Sequence, residues 1–228
     1  MKRIYTSIGR FQYPSEGKCL CPSIRLGDKE YLLDPQELII WAALNWRFAR
    51  FEEIGEYYDK EAANTSYSND RSWEACLDRL ITRGLVMCGS GETDFDALYD
   101  LVSPLYIIPL SGRLTVRFFS FMKLFMRHHV PFPTARKMLR KDKKTKKEKH
   151  IISLTKQALL SVGELIRCVD KGIRKLKGND SVMDAVYCDT QPTSDNIGTT
   201  VKYVLCSQDV TVTVANLYLR RQILFERA

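Results

Sequence analysis

Apolar and polar positions alternate along the chain in two rhythms, one of period two and one near 3.6 residues. Residues 3–8 (RIYTSI) predict a short strand, and 12–22, with two prolines, a glycine and a Cys-x-Cys, read as loop. SIRL-GD-KEYLL (23–33) has the form of a hairpin whose tight turn is Gly27-Asp28. Asp34 then stands where a helix cap belongs and Pro35 where the first helical residue belongs. The helix that follows, to Trp46, is expected to bury Leu38, Ile39, Trp41, Ala42 and Leu44. A second helix spans 50–63, with Phe51, Ile54 and Tyr58 on one face, and a polar loop follows at 64–70. A third, capped by Asp70, spans 71–84 on Trp73, Cys76, Leu77, Leu80 and Ile81, and ends at Gly84. Residues 85–88 and 105–110 predict strands, with a loop or short helix between them.

In the middle, GRLTVRFFSFMKLFMRHHV (112–130) forms an amphipathic pattern. Arg113, Arg117, Ser120, Lys123 and Arg127 share one side, and Leu114, Phe118, Phe121, Met122 and Phe125 the other. Residues 151–176 carry a long apolar stripe and predict a single long helix. Short helices are expected at 181–187 and 196–207. Asp209 is the expected cap of a helix over 210–227, where β-branched residues leave a strand open as well. No internal repeat is visible. The expected class is mainly α with small β elements (α+β): an N-terminal winged helix over 1–110, then a helical half over 111–228. Three helices followed by strand, loop and strand is the winged-helix order, with the helix-turn-helix around 64–70.

Charge sharpens this picture. Of 228 residues, 35 are Lys or Arg and 27 Asp or Glu, a net +8. Residues 1–110 hold 12 basic and 17 acidic side chains, net −5, whereas 111–178 hold 19 and 4, net +15. The densest run, Arg136–Lys149, has nine basic residues: Arg136, Lys137, Arg140, Lys141, Lys143, Lys144, Lys146, Lys147 and Lys149. Such a run fits a solvated linker or frayed helix end, a phosphate-contacting segment, or a site for an acidic protein.

Catalytic signatures are missing from the pattern. The sequence has no glycine-rich phosphate loop and no G-x-S-x-G. His128 and His129 are adjacent, so a helix points them about 100° apart, a poor geometry for one metal. The seven cysteines are irregularly spaced, and Cys19-x-Cys21 is not a zinc spacing. No cofactor, no metal and no enzyme activity are therefore expected. With no secretory-type leader at 1–17 and no long uncharged apolar run, a cytoplasmic protein is expected, and a membrane partner is not.

Residues 23–90 resemble the PqqD-like winged-helix family, the precursor-peptide recognition element. The stretches that carry the resemblance are Tyr31-Leu32-Leu33-Asp34, Ile40-Trp41, Glu53-Ile54 and Leu80-Ile81-Thr82-Arg83-Gly84-Leu85-Val86. It covers about a third of the chain. The resemblance implies that a leader peptide adds as a strand beside the third helix, near Tyr31, Leu32, Leu33, Arg71, Glu74, Cys76, Leu77, Arg79 and Leu80.

Two functions follow as expectations. The first is a non-enzymatic nucleic-acid-binding protein, a winged-helix transcriptional regulator. Its phosphate contacts would come from the 136–149 run and its reading helix would use Arg71, Arg79 and Arg83. Glu52, Glu53, Glu56 and Asp59 on the preceding helix oppose this use of the first domain, and Lys202, Arg220 and Arg221 are the basic candidates further along. The second is a peptide-binding adaptor. A C₂ homodimer is compatible with either.

Overall fold

A computed structural model describes residues 1–12, 23–62, 71–110, 144–188 and 193–227. The protein is a mixture of helices and small antiparallel sheets. The expected basic helix at 112–130 and positions 136–143 of the basic run lie outside the described residues.

The first half runs β1 (Lys2–Ser7), β2 (Arg10–Gln12), β3 (Ser23–Leu26), β4 (Lys29–Leu32), α1 (Pro35–Leu44), α2 (Phe51–Ala62), α3 (Trp73–Thr82) and β5 (Val86–Gly91). The hairpin β3–β4 forms around Gly27-Asp28, and β2 adds to it on the β3 side. Asp34 caps α1 as expected, and Glu37 closes the capping box by accepting the Asp34 N–H. Ile40 takes the buried place expected of Ala42, which is exposed. The cap of α3 is Ser72, whose hydroxyl accepts the Ala75 N–H.

A short helix, α4 (Asp94–Val102), follows, then β6 (Tyr106–Pro109). The expected wing would pair β5 with β6. Instead β5 pairs with β1, and β6 is the middle strand of a second sheet, flanked by β7 (Leu160–Ser161) and β8 (Ile223–Glu226). The strand just before the expected boundary at residue 110 thus completes the sheet of the second half. Gly89 and Gly91 let α4 lie directly on β5: a Cβ on Gly89 would overlap the Ala97 carbonyl and the Leu101 backbone.

The second half runs α5 (Lys146–Gln157), β7, α6 (Val162–Asp170), α7 (Asp180–Val186), α8 (Ile197–Val201), α9 (Ser207–Leu219) and β8. The single helix expected over 151–176 is therefore two. Ala158 is extended, and Ser161 opens α6 with a capping box to Glu164. The apolar stripe continues across the break because both helices face one core. At 196–207 the five residues of α8 are helical, and the next helix begins at Ser207. The helix expected over 210–227 starts earlier, stops at Leu219 and gives way to β8, so helix and strand both occur.

The two halves repeat one arrangement. In each, the first strand is the middle one. Tyr5 pairs with Ala49, just after α1, and with Cys88. Ile107 pairs with Leu160, just after α5, and with Phe225. Both closing helices end through a left-handed residue, Gly84 (φ 70°) and Arg221 (φ 56°). The next N–H then returns to the helix: Leu85 to the Leu80 carbonyl and Gln222 to the Leu217 carbonyl, each at 2.9 Å. The third residue of α1, Glu37, is buried and held by Arg83 at 2.8 Å. The third residue of α5, Glu148, is buried and held by Arg220 at 2.9 Å. Arg83 and Arg220 are the C-terminal caps of α3 and α9. Glu53 and Glu164 also match, each accepting the N–H that opens its helix at 2.7 Å. Helix, short strand, helix, helix and strand thus occur twice, which corrects the expectation of no repeat. The second copy carries an insert, α7 and α8, before its last helix.

Each copy has its own core. Ile40, Trp41, Leu44, Ile54, Leu77 and Leu80 lead the first, and Ile107, Leu154, Leu165, Val214 and Leu217 the second.

Candidate nucleic-acid interface

Thr145 and Glu148 form the capping box that starts α5 inside the basic run. The end of that run is therefore ordered helix, with Lys146, Lys147 and Lys149 exposed on its first turn. Lys147 pairs with Asp209 of α9 at 2.6 Å. Glu148 points inward to Arg220, so the acid in this turn is already compensated.

Helix α9 buries Val210, Val214, Leu217 and Tyr218. The helical period then leaves Gln208, Asp209, Val212, Asn216, Leu219 and Arg220 on one exposed stripe. The one acid on it, Asp209, faces Lys147. Arg221 is exposed just beyond the helix. Leu219, at the far end, lines a cleft of about 340 Å³ with Arg47, Phe48 and Tyr57 of the first half.

In the first half, Arg71 pairs with Asp34 at 3.0 Å. Arg79 and Arg83 both pair with Glu37, at 3.1 and 2.8 Å. Arg83 also donates to the Leu32 carbonyl at 2.6 Å and lies over the Tyr31 ring. All three arginines are thus drawn toward α1 and β4. The outward side of α3 shows Glu74 and Asp78, and α2 shows Glu52, Glu53, Glu56 and Asp59. Leu33, Cys76, Leu77 and Leu80 fill the core, while Tyr31 is half-buried and Leu32 is exposed. Leu32 lies on β4, the outer strand of the three-stranded sheet.

Two groups of expected site residues therefore sit in different places. Lys147 pairs with Asp209 of α9 in the second copy, with Lys146 and Lys149 exposed on the same turn of α5, and Arg71, Arg79 and Arg83 belong to the first. Lys202 does neither: it pairs with Asp96 at 2.9 Å. Gln208, Val212 and Asn216 were missed by a search for basic residues. Their signal was present as the polar stripe opposite Val210, Val214 and Leu217.

Another opening, of about 690 Å³, lies between the copies and includes Tyr99, Asp100, Tyr106, Tyr187, Lys202 and Arg227. Burial pushes the Tyr99 hydroxyl up to about 12, where it donates to the Gly198 carbonyl. Burial and the Glu164 carboxylate, which accepts its hydrogen bond at 2.7 Å, raise Tyr187 further. Cys168 is pushed up to about 11, first by burial and then by Glu164, so it remains a thiol near neutrality. Tyr99, Tyr187 and Cys168 thus stay protonated near neutrality, and in the opening the Ser90 hydroxyl donates to the Asp100 carboxylate at 3.4 Å. Among the described residues no group of three His, Cys, Asp or Glu is placed to hold a metal ion. Among them, too, no helix is long and apolar enough to cross a membrane.

Compared with known proteins, the chain matches no family model, no curated protein and no solved structure.

Proposed function

We propose that the protein is a non-enzymatic nucleic-acid-binding protein, a transcriptional regulator built from two winged-helix-like units, and that its second unit meets duplex DNA. In each unit the strand after the last helix pairs with the strand that precedes the first helix, in place of the return strand of a wing. The observation that carries this reading is the outward stripe of α9. It carries Gln208 and Asn216 beside Val212, its one acid is paired with Lys147, and Arg220 and Arg221 are exposed at its end. Phosphate attraction is the dominant nonspecific term in such binding, and it needs cations beside the helix that enters the groove. The matching stripe of α3 is bordered by acids instead, so the reading moves from the first unit, where the sequence put it, to the second.

The remaining basic residues of the run, Arg136, Lys137, Arg140, Lys141 and Lys143, extend the same phosphate-binding segment. The test is fluorescence anisotropy with random-sequence duplex at two salt concentrations. The full chain is expected to bind in a salt-sensitive way, and changing Lys144, Lys146, Lys147 and Lys149 to Ala should weaken binding evenly across sequences and flatten the salt slope. Unchanged affinity in that variant overturns the assignment.

A second reading rests on β4. It is an outer strand with Leu32 exposed beside Tyr31, and the resemblance to the PqqD-like family read from the sequence would put a peptide there. Peptides encoded beside this gene would then slow hydrogen exchange at residues 29–32.

A further inference from the structure

Resting on the DNA-binding reading, we infer that α9 reads adenine–thymine pairs in the major groove, through Gln208, Val212 and Asn216. These three side chains are exposed and spaced four residues apart on one stripe. At 1.5 Å per residue they are separated by about 6 Å along the helix, which is close to two base steps. Their chemistry is selective. A carboxamide can accept from adenine N6 and donate to N7 at once, and an aliphatic side chain packs against the thymine methyl. Guanine is best read by Arg or Lys, and neither occupies the middle of the stripe.

The surroundings favour a duplex as the occupant. Arg220 and Arg221 are exposed at the C-terminal end of the stripe and Lys147 reaches Asp209 near its start, where phosphates would pass. Asp209 would repel a phosphate or accept from cytosine, but its carboxylate is held by Lys147. The Thr213 hydroxyl donates to the Asp209 carbonyl at 2.7 Å, so it does not compete for bases. The charged groups closest to the stripe are therefore cations or compensated acids.

The test compares full-length chain on two duplexes of equal length, one rich in A·T and one rich in G·C, at moderate salt. The A·T duplex should bind about tenfold more tightly. Gln208→Ala and Asn216→Ala should each shrink that preference by weakening A·T binding more than G·C binding; circular dichroism checks that both variants fold. Replacing adenine by 7-deazaadenine removes the N7 acceptor and leaves the minor groove intact, so it should reproduce the loss. Replacing thymine by uracil should weaken wild type and leave Val212→Ala unaffected. Equal affinity for both duplexes, or a preference that survives 7-deazaadenine, overturns base reading by α9 while DNA binding stands. Absence of salt-sensitive binding to either duplex overturns the underlying reading as well.

Discussion

At the scale of single residues, the buried glutamates Glu37 and Glu148 decide how each first helix meets each last one. Glu37 and Glu148 close capping boxes and also receive arginines from the far ends of α3 and α9. A buried carboxylate that loses its cation keeps its desolvation cost, so truncating the arginine hurts more than a surface pair would. Arg220 is half-exposed, which lowers the figure. Arg220→Ala should cost about 1–2 kcal/mol, and Glu148→Ala about 2–3 kcal/mol because the helix also loses its capping box. The double variant should cost less than the sum, and so should the matching pair Arg83 and Glu37. Urea denaturation with a double-mutant cycle measures the coupling. Strict additivity would mean that the guanidinium and carboxylate only lie near each other. The sequence did not expose these pairs, because Glu37 and Arg83 are 46 residues apart and Glu148 and Arg220 are 72 apart. Different insert lengths therefore hide the repeat from any fixed period.

Local rules were readable where they are strictly local. The Gly27-Asp28 hairpin, the Asp34–Pro35 helix start and the Gly84 helix end are set by neighbouring residues, and each is found as expected. Misreadings arose where a long-range partner decides. The stripe over 151–176 is continuous because α5 and α6 share a core, yet Ser161 and Glu164 already spelled a capping box in its middle. Arg221 ends α9 in a conformation usually given to glycine, so no residue type announces the turn to β8. Strand β5 pairs with β1 rather than β6, a choice made by partners 79 to 89 positions away in the chain. The packing of α4 on β5 is the element-scale consequence. Gly89→Ala would push α4 away from the strand and should lower stability by about 1–3 kcal/mol, whereas Gly27→Ala meets open space and is strained only by its backbone. Thermal unfolding of both variants checks the order. A Gly89→Ala protein as stable as wild type would show that α4 is free to move outward.

At the scale of the whole molecule, the copies are joined by the side chain of Tyr218. Its hydroxyl donates to the Ser7 carbonyl at 3.0 Å, accepts the Trp46 N–H at 3.1 Å and lies 2.9 Å from the Thr6 hydroxyl. Its ring packs on Trp46, Phe48 and Phe225. The residue belongs to the second unit and all its hydrogen-bond partners to the first. Tyr218→Phe keeps the ring contacts and leaves the Trp46 N–H and the Ser7 carbonyl short of a partner, at a cost of about 1–3 kcal/mol. The chain has three tryptophans, all in the first unit; Trp41 and Trp73 report that unit, and Trp46 also reports its contact with Tyr218. If the copies unfold as one body, urea midpoints from fluorescence and from far-UV circular dichroism fall together in the variant, with an unchanged slope. A fluorescence midpoint that stays at the wild-type value, while circular dichroism moves, would show two independent units. That distinction bears on function. On the proposed DNA-binding reading, a second unit held on a rigid first unit would have one approach to the groove. Weakening the Tyr218 joint should therefore loosen DNA affinity without touching any residue of the α9 stripe.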